Sequence, residues 1–305
     1  MKKILFIIIT ALTIGSAYAC DICGCGVGGN YIGVLPEFQK NIIGLRYRYN
    51  SLQSHLGVDG LPTYLTADEK YNTIELWGAW NIGKKFRVLG SLPYAFNTRS
   101  NQGTSKSKNG FGDASATGFF QLLNSKKTIS EKLLVQSLWI GGGVKFPTGK
   151  YLPEDKQASS QNANLFQLGT GSFDFTLNTM YDIRLQDAGL NVSASYKMNT
   201  TNKYEYGYGN KLSSSAQFYY KFRVKNKFTI APNTGVSYEL SEKDMDNGFT
   251  VDISGGQILM ATVGMETLFK NLSVGANWQT PMAQDLANGS VKANDRLMVH
   301  VSVPF

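Results

Sequence analysis

The groups best placed to do chemistry lie near the start of the chain. Cys20, Cys23 and Cys25, in the run Cys20-Asp21-Ile22-Cys23-Gly24-Cys25-Gly26, are the only cysteines among the 305 residues. Three thiols at C-x-x-C-x-C spacing can converge on one soft ion, copper as Cu(I) or zinc, with the glycines letting the backbone wrap around it. The same spacing also serves a disulfide between two of the three in an oxidising compartment, or a lipidated Cys20 beside such a disulfide. A redox role is not indicated, because no thioredoxin-like βαβ pattern follows.

The residues before this cluster say where it must work. Met1, Lys2 and Lys3 precede an apolar run over 4–15, and Ala17-Tyr18-Ala19 supplies small-x-small residues for cleavage, so residues 1–19 read as a secretory signal peptide. The run is shorter than the roughly 20 apolar residues a spanning helix needs. With Lys2 and Lys3 removed, the formal charge of +8 becomes +6. Residues 20–40, rich in Cys and Gly, are expected to form a periplasmic N-terminal segment, with 26–39 compatible either with a short periplasmic tail or with a small plug in the barrel mouth.

From residue 41 the chain alternates. Ile43, Leu45, Tyr47 and Tyr49 share one face of an extended segment, with Arg46 and Arg48 on the other. The last segment, 295–305, sets Leu297, Val299, Val301, Val303 and Phe305 against Met298, His300, Ser302 and Pro304. Further strands are expected over 70–82, 86–96, 112–123, 133–146, 169–183, 189–199, 211–224, 228–239, 257–269 and 272–280. Long polar connections alternate with short ones, and 97–109 reads as a long exposed loop, 124–132 as a turn. Only 17% of residues are charged and mean hydropathy is −0.19, a balance natural where only alternate residues face lipid. The fold class is all-β: a transmembrane antiparallel up-and-down β-barrel over 41–305, with about twelve strands and ten to fourteen compatible. The location follows as the outer membrane of a Gram-negative cell.

On that parity Arg46, Arg48, Arg87, Lys145, Lys197, Lys211, Lys221, Arg223 and Arg296 turn into the lumen, against Glu75, Asp113, Asp174, Glu239 and Glu266; His300 turns inward with them. A basic excess in a pore concentrates anions. Alternatively the charges pair across a narrow barrel and close it. Hydrolysis would need a histidine beside a nucleophile. A lipid-cleaving site would face the bilayer at the rim, whereas His55 falls in a polar loop and His300 faces inward near Ser302. The chain is therefore expected not to be an enzyme. Nucleic acid is not an expected partner, because the basic residues gather on no single face with stacking aromatics.

Three runs carry a resemblance. Gly110-Phe111-Gly112-Asp113 opens one strand, Gly142-Gly143-Val144-Lys145-Phe146-Pro147-Thr148-Gly149 closes the next, and Gly169-Thr170-Gly171-Ser172 with Asp174 opens the one after. With Leu92-Pro93-Tyr94 and the terminal Phe305, this succession resembles the transporter-like outer-membrane family labelled for meta-pathway phenol degradation, distantly similar to fatty-acid and toluene-type importers. The resemblance implies a barrel that passes small solutes, sits in outer-membrane lipid and is inserted by the assembly machinery through its C-terminal strand. Read from the residues alone, the glycines mark bends at strand ends. A metal-binding module on a barrel anchor, or a structural barrel, is the alternative function.

Overall fold

In a bilayer every backbone N–H and C=O within the hydrocarbon must find a partner in the protein, so strands can cross only as a closed ring. The computed structural model describes residues 40–57, 60–129, 131–155, 164–224 and 228–305. Its ring consists of β1 (Ile42–Ser54), β2 (Ala67–Ile82), β3 (Phe86–Asn101), β4 (Ser115–Ile129), β5 (Lys132–Lys145), β6 (Asp174–Leu185), β7 (Ala188–Met198), β8 (Lys211–Tyr220), β9 (Phe228–Ser241), β10 (Gly256–Phe269), β11 (Leu272–Leu286) and β12 (Lys292–Pro304). Each strand pairs antiparallel with its chain neighbours, and β1 pairs with β12 to close the barrel. Beside the last strand, the Phe305 amide donates to the Asn41 carbonyl at 2.9 Å and extends that seam to the chain end.

Alternation sets the register. Ile43, Leu45, Ile74, Leu76, Trp80 and Val301 lie on the exposed outer surface, whereas Arg46, Glu75 and His300 are buried inside. A slip of one residue would exchange these faces and turn Arg46 toward lipid, at about 2–4 kcal/mol near the midplane. One rim carries tight turns, with Gly83, Gln186 and Lys270 in the left-handed region (φ 69°, 54° and 53°); the other carries the long connections. In outer-membrane barrels the first rim is periplasmic and the second extracellular.

Two expectations need correction. The 97–109 segment is a β-ribbon, not a loop: β3 continues to Asn101 and returns as Thr104–Phe111, paired from Asn101↔Thr104 to Tyr94↔Phe111. Its turn is Gln102-Gly103, both left-handed (φ 47° and 79°), and its polar composition reflects a ribbon standing beyond the membrane. Residues 124–132 are not simply a turn either, because β4 runs on to Ile129. A register shift between Gln121 and Leu123 leaves Leu122 and Leu123 both exposed, which breaks the alternation although the ladder continues. Likewise β11 passes Pro281, at a register shift opposite Met260, where a missing N–H is tolerated.

The interior is stacked in three storeys. Nearest the tight turns, Ile42, Trp77, Phe119, Trp139 and Met180 form an apolar cluster inside the barrel, which the sequence did not lead one to expect. Ion pairs occupy the middle. At the extracellular mouth Leu52, Tyr71, Ile258, Met260 and Leu286 pack around Leu165 and Phe166, which belong to the connection between β5 and β6.

Candidate functional site: a plugged extracellular mouth

The plug depends on how the β5–β6 connection is held at both ends. The three runs that carried the family resemblance converge there. Lys145 at the end of β5 places Nζ 2.5 Å from Asp113 Oδ2 and 2.7 Å from Asp174 Oδ2, and also donates to the Thr170 hydroxyl. Asp113 in turn accepts from the Gly149 and Thr170 amides, each at 2.9 Å. The Thr148 hydroxyl donates to the Gly112 carbonyl at 2.8 Å and accepts from the Ala114 amide at 2.8 Å. Gly149 and Gly169 let the two ends of the connection cross: a Cβ on Gly169 would lie 2.8 Å from the Gly149 backbone. Asp113, Lys145 and Asp174 are all buried, and a buried charge needs this full set of partners to be tolerated.

Between those ends, residues 164–168 turn down into the mouth. The Lys108 ammonium, brought over by the ribbon, donates to the Phe166 carbonyl, sits 5.0 Å from the centroid of the Phe166 ring and pairs with Asp155; Lys106 also pairs with Asp155. Gln167 Nε2 donates to the Leu152 carbonyl at 2.8 Å and its Oε1 accepts from the Leu152 amide at 2.9 Å. From the next extracellular connection, the Tyr206 hydroxyl accepts from the Asn164 amide at 3.0 Å and donates to Asp244 at 2.5 Å, and the Tyr208 hydroxyl donates to the Asn164 carbonyl at 3.1 Å. Burial, then the neighbouring Asp244 carboxylate, push the Tyr206 hydroxyl well above its usual range, so it remains a donor at all physiological pH.

Asp155 gives this clamp a pH dependence. Burial would raise its carboxyl, but the hydrogen bonds and charges of Lys106 and Lys108 hold it below the ordinary range. A depressed carboxyl contributes stability above its unfolded pKa of about 4, and that contribution is lost as pH falls through the folded value. Acidification below about pH 4 is therefore expected to loosen the plug, measured as protease cleavage within 150–170. Asp155→Asn should be cleaved faster at pH 7 and show a smaller further rise on acidification; an equal rise in both proteins would refute the assignment.

The sequence-picked residues distribute themselves as follows. Arg46 and Arg48 both pair with Glu75, at 3.0 and 3.6 Å, and Arg46 stacks 5.0 Å from the Trp77 ring. Arg296 and Lys211 share Glu239 at 2.7 and 3.2 Å. Lys197 reaches Asp174 at 3.8 Å, and His300 Nε2 lies 3.4 Å from Glu266. Buried Arg87 donates to the Lys40 carbonyl and to Asn81, both at 3.1 Å. Lys221 sits at the break after β8, 5.3 Å from the Tyr219 ring. Arg223 has the inward parity but stands half exposed at the periplasmic rim, paired with Asp187 at 2.8 Å, because its short strand (Phe222–Val224) runs to the rim. Cys20, Cys23 and Cys25 lie outside the described residues.

Beside the plug gathers a cluster that sequence reasoning did not assemble, although it had placed His55 in a polar loop. The Ser54 hydroxyl donates to Glu69 at 2.6 Å, Arg99 pairs with Glu69 at 3.2 Å, and His55 Nδ1 stands 3.0 Å from Ser54 Oγ and 3.1 Å from Arg99 Nη2. With the serine proton directed to Glu69 and an arginine donor at the imidazole, this arrangement ties the first extracellular connection to the ribbon. Burial, then Arg99, lower the His55 imidazole below its usual range, which suits that acceptor role.

Comparison with known proteins gives the fold its setting. No family model matches the chain, and no curated protein matches it, so the phenol-degradation label has no support in sequence. Among solved structures, an outer membrane channel from Pseudomonas putida F1 superposes with a TM-score of 0.61 at 15% identity, over 92% of this chain and 100% of that one. The protein is an outer-membrane β-barrel. The beta domain of the Bordetella autotransporter BrkA follows with a TM-score of 0.52 at 9% identity, over 87% and 100% of the two chains. A Pseudomonas aeruginosa FadL homologue is matched at a TM-score of 0.39 and 10% identity, over 95% and 100%, too remote to bear on importers of that kind. At these identities the likeness is one of fold.

Proposed function

We propose that this barrel is a pore or transporter for small solutes whose extracellular entrance is governed by residues 164–168. The observation that carries the reading is the seating of Leu165 and Phe166 among Leu52, Tyr71, Ile258, Met260 and Leu286: an apolar plug held by polar clamps closes a mouth and can be withdrawn without unravelling the ring. Likeness in fold to an outer membrane channel supports it. The basic residues of the interior sit largely in ion pairs with Glu75, Asp174 and Glu239, so any anion preference comes from the small positive excess rather than from a uniformly basic lumen.

The spacing of Cys20, Cys23 and Cys25 supports a second, separable reading, a copper- or zinc-binding segment carried by the barrel. Conductance of the refolded mature protein in a planar bilayer, beside the triple Cys→Ser variant, tests both. Matching openings in the two proteins are expected, with any stoichiometric metal present only in the wild type. Silence in both, and in variants lacking the plug, would sink the pore.

A further inference from the structure

The barrel interior is lopsided. On the side formed by β10, β11 and β12, inward side chains are packed tight: Thr262 and Ser302 are each 1% exposed and Ser273 is 2% exposed. Farther round the ring, β7 and β8 set their inward residues directly opposite one another in the order Lys197/Lys211, Ser195/Ser213, Ser193/Ser215 and Asn191/Gln217. The four serines are only half-buried, although Val192, Leu190, Leu212 and Phe218 of the same strands are exposed on the outer face. The space beside them therefore lies within the barrel. Six residues of strand separate Lys211 from Gln217, which at about 3.4 Å per residue gives a groove about 20 Å long, two-thirds of a bilayer core.

Small hydroxyl side chains leave room and offer both donors and acceptors along this length. Ser193 and Ser215 already join hands across it at 2.9 Å. At its extracellular end the two lysines stand opposite each other, a repulsive placement held by Asp174 and Glu239. With Lys145 and Arg296 added, four cations face the three carboxylates Asp113, Asp174 and Glu239, which leaves one positive charge in excess beneath the plug. Toward the periplasmic end Tyr219 packs against Gly189 and donates to Asp182 at 3.0 Å, bounding the groove on that side.

We infer that the hydroxyl-lined groove between β7 and β8 is the permeation path, and that it selects small, oxygen-rich anions such as carboxylates or phosphates. The inference rests on the pore reading above and names its route and solute class. An apolar solute would gain nothing from a wall of serines, whereas an anion exchanges water for successive hydroxyls after passing the ammonium pair.

Cysteine labelling tests it on the full chain with Cys20, Cys23 and Cys25 changed to Ser. Ser195→Cys, Ser213→Cys and Ser215→Cys, reconstituted in vesicles, are expected to react with an anionic methanethiosulfonate about tenfold faster than Ser302→Cys, since thiol reactivity requires access. The anionic reagent should outpace a cationic one of equal size, and labelling should reduce conductance. Groove thiols no faster than Ser302→Cys, with every position reacting after unfolding, would overturn the route; a faster cationic reagent would overturn the solute class. Conduction by a plug-opened variant whose groove thiols stay unreactive would refute the groove and leave the pore standing. Reactive groove thiols in variants that never conduct would refute the pore reading itself.

Discussion

Changing Leu165 and Phe166 together to aspartate is expected to convert an occluded barrel into one that is open most of the time. Both side chains are buried in the mouth, and docking them there removes apolar surface from water on an element that takes no part in the ladders of the ring. Burial of a leucine and a phenylalanine contributes about 4 kcal/mol together, and at 1.4 kcal/mol per tenfold the closed-to-open ratio should fall about a thousandfold. Two carboxylates placed among Leu52, Ile258 and Met260 would be driven out further. The ring should be indifferent, because its ladders contain neither residue. The measurement is single-channel open probability beside thermal unfolding in detergent: a large rise in the first with little change in the second. Unchanged conductance in a folded variant would show that the constriction lies elsewhere, the apolar storey around Trp77 and Trp139 being the next place to look.

Lys145→Met should have the largest effect on stability. The ammonium stands between Asp113 and Asp174, both buried, so its removal leaves two carboxylates facing each other with little solvent to screen them. Breaking a buried ion pair by removing one partner costs about 3–5 kcal/mol, and here Lys145 serves both anions at close range, with Lys197 reaching only Asp174, at 3.8 Å. The loss should appear as a lower unfolding midpoint and as release of the plug, since Asp113 also holds the Gly149 and Thr170 amides. Adding Asp113→Asn and Asp174→Asn to Lys145→Met should restore part of the midpoint, because neutralising the two carboxylates is cheaper than stranding them, although Lys197 then loses its contact with Asp174. Equal instability of the single and triple variants would mean that shape, rather than charge, dominates the site.

The ring was legible because lipid on one side and polar groups on the other impose a period of two on every strand, and Arg46, Arg48 and the alternation around His300 fix the parity. The errors came where that constraint lapses. The ribbon above the rim is polar on both faces, so nothing but its Gln102-Gly103 turn distinguished it from a loop. In β4 one extra residue at Leu122 shifted the faces and hid a continuing ladder. The serines of β7 and β8 were visible as residues, yet only their pairing across two strands makes a groove of them.

What the sequence determined by itself is therefore what depends on a residue and its neighbours two apart: strands, their inward and outward faces, a twelve-stranded antiparallel ring and an outer-membrane setting. What tertiary structure decided depends on rungs and levels. Parity says that Lys145, Asp113 and Asp174 turn inward, but only the stagger of the strands brings the Lys145 ammonium within 3 Å of both carboxylates. Likewise only the crossing of Gly149 over Gly169 drops Leu165 and Phe166 into the mouth. Backbone periodicity is local and can be read along the chain; which inward side chains meet depends on ring closure and shear, set by all the strands at once.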